Sequence, residues 1–100
     1  MNNDRLLSFL GLCKRAGYLI SGLETVTKAI REGKALLILT ACDLSPNSLS
    51  DIGFAAERYG VRLVGLSCSK DELSFALGKH CGIVGVTDRG FADKILTMTE

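Results

Sequence analysis

Ala35-Leu36-Leu37-Ile38-Leu39-Thr40-Ala41 is the stretch on which the architecture turns. A strand with one face in water alternates apolar and polar residues, because successive side chains point to opposite faces. This run does not alternate: Thr40 carries its one polar group, and every other position is apolar. A strand of that kind is buried on both faces, as in a sheet covered by helices above and below. It is therefore expected near the centre of the sheet. It is also far too short to span a bilayer, so no membrane association is expected.

Working outward from this strand, helical and strand patterns alternate with short punctuation. Upstream, Ser21 followed by Glu24 reads as a capping box, with serine and glutamate each satisfying an N–H at the start of a helix that runs to about Gly33. Gly22 keeps that start free of bulk. Val26, Ala29 and Ile30 recur at helical spacing and face a core, whereas Lys28 points elsewhere, one turn beyond the first N–H groups. Tyr18-Leu19-Ile20 is a very short strand. Before it, Asn3 or Asp4 caps a first helix that buries Leu6, Leu7, Phe9, Leu10 and Cys13, with Lys14 and Arg15 in its last turn and Gly17 as its stop.

Downstream, Ser45-Pro46 places a cap before a proline at the first helical position. Leu49, Ile52, Ala56 and Tyr59 carry this third helix to Gly60. Val61 to Leu66 is the next strand. Ser69 and Glu72 repeat the capping-box spacing and open a fourth helix through Leu73, Ala76 and Leu77, closed by Gly78. Ile83 to Thr87 is the last strand, and Thr87 or Asp88 starts a terminal helix carrying Phe91, Ile95 and Leu96. With no linker, repeat or low-complexity tract, residues 1–100 are predicted to form a single α/β domain, a three-layer α/β/α sandwich around a small four-stranded sheet.

The composition, 47% hydrophobic and 23% charged, is that of a globular protein and excludes a disordered tail. No basic-then-apolar leader opens the chain, so a cytoplasmic location is expected. Cys13, Cys42, Cys68 and Cys81 are widely spaced and contain no Cys-x-x-Cys pair, which points to small buried hydrophobes rather than a disulfide framework or a metal site. Net charge is +1, too little to coat nucleic acid by charge alone. Its distribution is uneven. Residues 1–34 hold six basic side chains against three acidic ones, a surplus of three, which leaves −2 for the remainder. That asymmetry predicts one positive face.

Enzyme readings find little support. His80 beside Cys81 suggests a thiolate–imidazole pair, yet adjacent residues leading into a strand point opposite ways, and no acid stands by to orient the imidazole. Gly-x-Gly-x-x-Gly and P-loop patterns are absent, so no nucleotide cofactor is expected. Asp43 and Asp51 read as isolated loop or surface charges. The segments where glycine and polar residues concentrate without core residues are Tyr18 to Thr25 and Gly78 to Gly82, and function is expected there. Free N–H groups at the start of the second helix and the Lys28 ammonium would converge on a phosphate.

The run Leu10-Gly11-Leu12-Cys13-Lys14-Arg15-Ala16-Gly17, followed by Ser21-Gly22 and Thr25-Val26-Thr27-Lys28-Ala29-Ile30-Arg31, resembles the kink-turn RNA-binding ribosomal protein family. The likeness continues through Ala41-Cys42-Asp43, Lys70-Asp71-Glu72-Leu73 and Leu77-Gly78-Lys79, so it covers nearly the whole chain. It implies a mixed four-stranded sheet between helices, no catalytic activity, and structured RNA gripped by two loops at one edge, with ribosome association and a monomeric state as expectations. In the first loop, Gly22 and Lys28 match the family's glycine and lysine. Leu23, Glu24 and Thr25 stand where better-known members have threonine, asparagine and glutamate. The amide used on sheared guanine–adenine pairs is thus replaced by a carboxylate, which only accepts hydrogen bonds. Weak recognition of a standard kink-turn follows. The second loop maps onto Lys79, His80, Cys81 and Gly82, where the family sets small or apolar residues against flipped-out nucleotides and where His80 could stack on a base. The alternative reading is a protein-interaction module of the same fold that has lost RNA binding.

Overall fold

The computed structural model describes residues 4–99. Its elements run α1 (Asp4–Arg15), β1 (Leu19–Ser21), α2 (Leu23–Arg31), β2 (Leu37–Thr40), α3 (Pro46–Tyr59), β3 (Arg62–Gly65), α4 (Lys70–Leu77), β4 (Ile83–Val86) and α5 (Arg89–Thr99). Asn3, a candidate first cap, lies outside the described residues.

β2 is buried at every position, as its unbroken apolar run requires. It sits inside a four-stranded sheet ordered β1-β4-β2-β3. Leu37 and Leu39 face a core shared with Leu6, Leu10 and Cys13 of α1, Leu73 and Leu77 of α4, and Ile95 of α5. Ile38 points the other way, into a core with Val26 and Ile30 of α2 and Ile52 of α3. One layer of helices thus covers each face, giving the three-layer α/β/α sandwich. Replacing Leu39 or Ile38 by alanine would open a cavity in one layer, at about 2–5 kcal/mol.

The sheet is mixed. β1 and β2 both pair antiparallel with β4, which lies between them, while β2 pairs parallel with β3. β4 and α2 approach closely because Gly85 has no side chain; a Cβ there would lie 3.2 Å from Ile20 Cγ1 and 3.3 Å from Val26 Cγ1. These pairings fix direction as well as order. The carboxyl ends of β1, β2 and β3 and the amino end of β4 all lie at one end of the sheet, so α2, α3 and α4 begin there together.

Two apolar positions of the third helix are corrected by the structure. Leu49 and Tyr59 are exposed, and Ala55 joins Ile52 and Ala56 as the buried side. Ile52 and Ala55, in the central turns, join the core with Ile30 and Ile38, while Leu49 and Tyr59 lie toward the two ends of the helix. Ser45 caps α3 by accepting from Ser48 N at 3.3 Å, and Asp88 Oδ2 accepts from Phe91 N at 3.0 Å at the start of α5.

Candidate nucleic-acid interface

The three helix starts gathered at one sheet end differ in how their amides are satisfied. α3 has Ser45. α4 has the full capping box: Ser69 Oγ accepts from Glu72 N at 3.1 Å and Glu72 Oε1 accepts from Ser69 N at 2.8 Å. Lys70 N adds a 2.7 Å bond to Asp43 Oδ1, so the loop after β2 also seals that helix. α2 has no side-chain cap.

This corrects the box expected at Ser21 and Glu24. Ser21 belongs to β1, opposite Val84 of β4. The ladder carries one residue further, with Gly22 N donating to Ile83 O at 3.0 Å, and the helix begins only after Gly22, whose carbonyl accepts from Val26 N at 2.9 Å. Gly22 stands at φ 98°, ψ 145°, a backbone conformation open almost only to glycine. Strand pairing therefore displaces the serine from the capping position, and the amides of Leu23, Glu24 and Thr25 are left without intrahelical partners. Leu23 packs on the α2–α3 core, while Glu24, Thr25 and Lys28 are exposed.

The second loop is held from behind. Gly78, at φ 72°, closes α4 in the left-handed region. Ser74 Oγ accepts from Cys81 N at 3.0 Å and donates to Cys81 O at 3.2 Å. Ala41 N donates to Gly82 O at 2.9 Å, tying the loop to the end of β2. Lys79 and His80 project into solvent. Cys81 does not: its side chain is 5% exposed, and burial pushes its thiol up despite the nearby Lys79 ammonium, which acts the other way. Of the residues expected in this loop, Cys81 can offer RNA only its backbone. Its apolar character serves the core, not a nucleotide.

A cleft between the two loops is lined by Lys14, Ile20, Ser21, Thr25, Leu77 and Lys79. It brings Thr25 and Lys79 together. Lys28 lies in an adjoining groove between α2 and α3 with Glu24, Arg31 and Asp51, and Thr25 lines both. Neither Lys28 nor Lys79 makes an ion pair among the described residues, where Lys34 and Glu32 pair at 3.4 Å. Leu77 lines the cleft although the sequence marked it only as an apolar residue of the fourth helix, whereas Ser21 falls within the Tyr18–Thr25 segment where function is expected. No short-range pattern signals the role of Leu77. Among the described residues no group of three or more His, Cys, Asp or Glu side chains is arranged to hold a metal, and no helix is long and apolar enough to cross a membrane.

A four-stranded sheet ordered β1-β4-β2-β3 between two helical layers, with a glycine-started helix bare beside a lysine-bearing loop, defines a class of small α/β/α sandwich proteins. Residues 4–96 match the Ribosomal protein L7Ae/L30e/S12e/Gadd45 family, and the chain belongs to it. The RNA-binding protein YlxQ of Bacillus subtilis is 34% identical over 101 residues, spanning 100% of both chains. The RNA-binding protein YlxQ of Enterococcus faecium is 32% identical over 99 residues, with 99% of this chain and 95% of that one covered. A solved structure of a protein with unknown function from Bacillus halodurans C superposes with a TM-score of 0.87 at 30% identity, covering 93% of this chain and 94% of the other.

Proposed function

We propose that this chain is a small, non-catalytic RNA-binding protein of the cytoplasm that acts as a monomer on structured RNA, ribosomal RNA being the leading candidate. One observation carries the reading: the start of α2 is the uncapped one among the three helix starts at this sheet end, and unpaired lysines lie on either side of it. Its amides and the positive end of its dipole suit a phosphate oxygen, and Lys28 and Lys79 add charge at the same edge. Full-length relatives named as RNA-binding proteins support the same class. The protein-module alternative has no comparable observation in its favour.

Glu24 sets the character of the contact. A carboxylate at the second helical position suits the helix dipole but repels phosphate and cannot donate to a guanine edge. Binding is therefore expected to rely on shape and backbone, with weak affinity for a standard kink-turn. Titration of labelled structured RNA across a salt series tests the reading. Each phosphate contact contributes about 0.7–0.9 to the magnitude of the log–log slope. A finite slope supports an RNA interface; absence of binding at low salt overturns it.

A further inference from the structure

β1 is an outer strand of the sheet, paired on one side only, with β4. Thr87 N donates to Tyr18 O and Gly22 N donates to Ile83 O. Backbone groups of an antiparallel strand alternate between its two sides, so those of Tyr18, Ile20 and Gly22 serve β4 and those of Leu19 and Ser21 face the open edge. That edge is one wall of the cleft between the two loops, since all three residues of β1 line it. Lys14, from the last turn of α1, and Lys79, from the loop after α4, line it as well. Among the described residues no aspartate or glutamate does. The adjoining α2–α3 groove differs, because there Lys28 and Arg31 share the walls with Glu24 and Asp51.

Lys14 is fixed in this position by the bond from its Nζ to Leu77 O at 2.6 Å. That bond uses one of the three ammonium donors and leaves two for a ligand. Burial raises the Cys81 thiol pKa, and the Lys79 and Lys14 ammonium groups both act against the rise, so the two charges reach the same side chain. Two cations gathered at one cleft without a carboxylate repel each other, and an anion seated between them relieves the repulsion. The cleft holds about 240 Å³, below the roughly 300–1,000 Å³ of pockets that engulf a small molecule. It therefore suits an anionic chain passing through.

We propose that Lys14 is an RNA-binding residue and that the sugar–phosphate backbone of the bound RNA crosses this cleft along the open edge of β1, with Lys14 meeting one phosphate and Lys79 another. The outward amides of Leu19 and Ser21 are neutral donors for the same oxygens. Ser21 and Thr25 add hydroxyls that can donate to phosphate or exchange bonds with a ribose 2′-hydroxyl. This assignment rests on the RNA-binding reading and deepens it, extending the interface from the start of α2 onto the end of α1.

The test titrates an RNA hairpin containing an internal loop of sheared guanine–adenine pairs across a potassium chloride series. Lys14→Gln keeps a neutral side-chain donor for Leu77 O and removes the charge. It is expected to make the log–log slope shallower by about 0.7–0.9, and the double change with Lys79→Gln by about 1.4–1.8, the share of two phosphates. Lys14→Arg keeps the charge and retains the natural slope. Arg15→Gln removes the same charge one residue on, from a side chain that lines the grooves beside α4 and α5 and not the cleft, and should leave the slope where it was. If the natural chain binds but a folded Lys14→Gln variant keeps the natural slope, or Arg15→Gln flattens it equally, the cleft assignment falls and the RNA-binding reading stands. If the natural chain binds no RNA at low salt, both fall. Self-association of Lys14→Gln with RNA binding unaltered would make Lys14 a guard of the open strand edge and overturn the assignment.

Discussion

Lys14 Nζ donates a 2.6 Å hydrogen bond to the carbonyl oxygen of Leu77, a residue 63 positions away. The final carbonyls of a helix lack intrahelical partners, and a cation placed there opposes the negative end of the dipole. The bond joins the last turn of α1 to the end of α4, from which the Gly78–Gly82 loop departs. Lys14→Met keeps the aliphatic stem and removes the donor. It is expected to lower the unfolding free energy by about 1 kcal/mol, at the low end for a charged group because Lys14 is solvent-exposed. Urea unfolding gives the number; a midpoint equal to that of the unmodified protein would mean that water replaces Lys14 without loss.

The two serines with identical spacing to a glutamate should behave differently. Ser69→Ala breaks a capping box and is expected to cost about 0.5–2 kcal/mol. Ser21→Ala removes no cap and should cost less than Ser69→Ala in the same urea experiment. Gly22→Ala meets no atom within 4 Å, yet forces a side chain onto a positive φ, at about 1–3 kcal/mol. Equal losses at Ser21 and Ser69 would contradict the start of α2 described above.

The contrast between those serines also marks how far the sequence can be read. Ser45-Pro46 and Ser69-x-x-Glu72 were legible because a cap is a bargain struck within four residues. Ser21-x-x-Glu24 has the same letters, but Ser21 is taken by β4, whose partner Val84 lies far along the chain. Nothing local announces that ladder. The apolar run at 35–41 disclosed a doubly covered strand and the family resemblance implied a mixed sheet, but the insertion of β4 between β1 and β2 has no signature in either. At the candidate site, glycine and polar residues mark the two loops that flank the cleft lined by Ser21, Thr25 and Lys79. Cys81 was misread because a small apolar residue next to a loop looks the same whether it faces a ligand or a core.

Of the four cysteines, Cys42 is exposed and Cys13, Cys68 and Cys81 are buried. A thiol reagent such as Ellman's is expected to modify Cys42 alone in the native protein and all of them in denaturant. Burial, with a smaller contribution from Asp88, raises the Cys13 pKa from its ordinary 9.0 to about 11. A raised folded-state pKa means that the native protein holds this proton while the unfolded chain releases it. The stability contributed is complete below about pH 9 and is lost as pH climbs toward 11. Urea unfolding from pH 8 to 11 should therefore fall less steeply for Cys13→Ala than for the natural chain; parallel slopes would remove Cys13 as the cause.

Lys28→Ala tests the phosphate edge. The ammonium is exposed and unpaired, so its loss should leave stability nearly unchanged while weakening every RNA ligand to a similar degree. The salt slope should become shallower by about 0.7–0.9, the share of one phosphate contact. Lys79→Ala should do the same from the other side of the cleft. A folded variant whose slope does not move would place that lysine outside the interface.

Glu24 and Thr25 occupy the second and third positions of an uncapped helix, both exposed, where the family's asparagine and glutamate would stand. The double change Glu24→Asn with Thr25→Glu returns an amide donor to the position facing guanine and moves the acid one residue on, where it can accept from a base amino group. Net charge is unaltered, and one carboxylate remains in the first turn, so neither general attraction nor the helix dipole changes much. The natural chain is expected to bind a standard kink-turn weakly, and the double variant to gain about 1–3 kcal/mol, the scale of one good base contact. Titration of both proteins at one salt concentration decides. Tight binding by the natural chain would show that Glu24 serves the contact as it stands, in the manner of an acceptor for base amino groups. A folded double variant with no gain would mean that the RNA meeting this helix start presents no sheared guanine there, and that the amides of Leu23, Glu24 and Thr25 grip backbone alone.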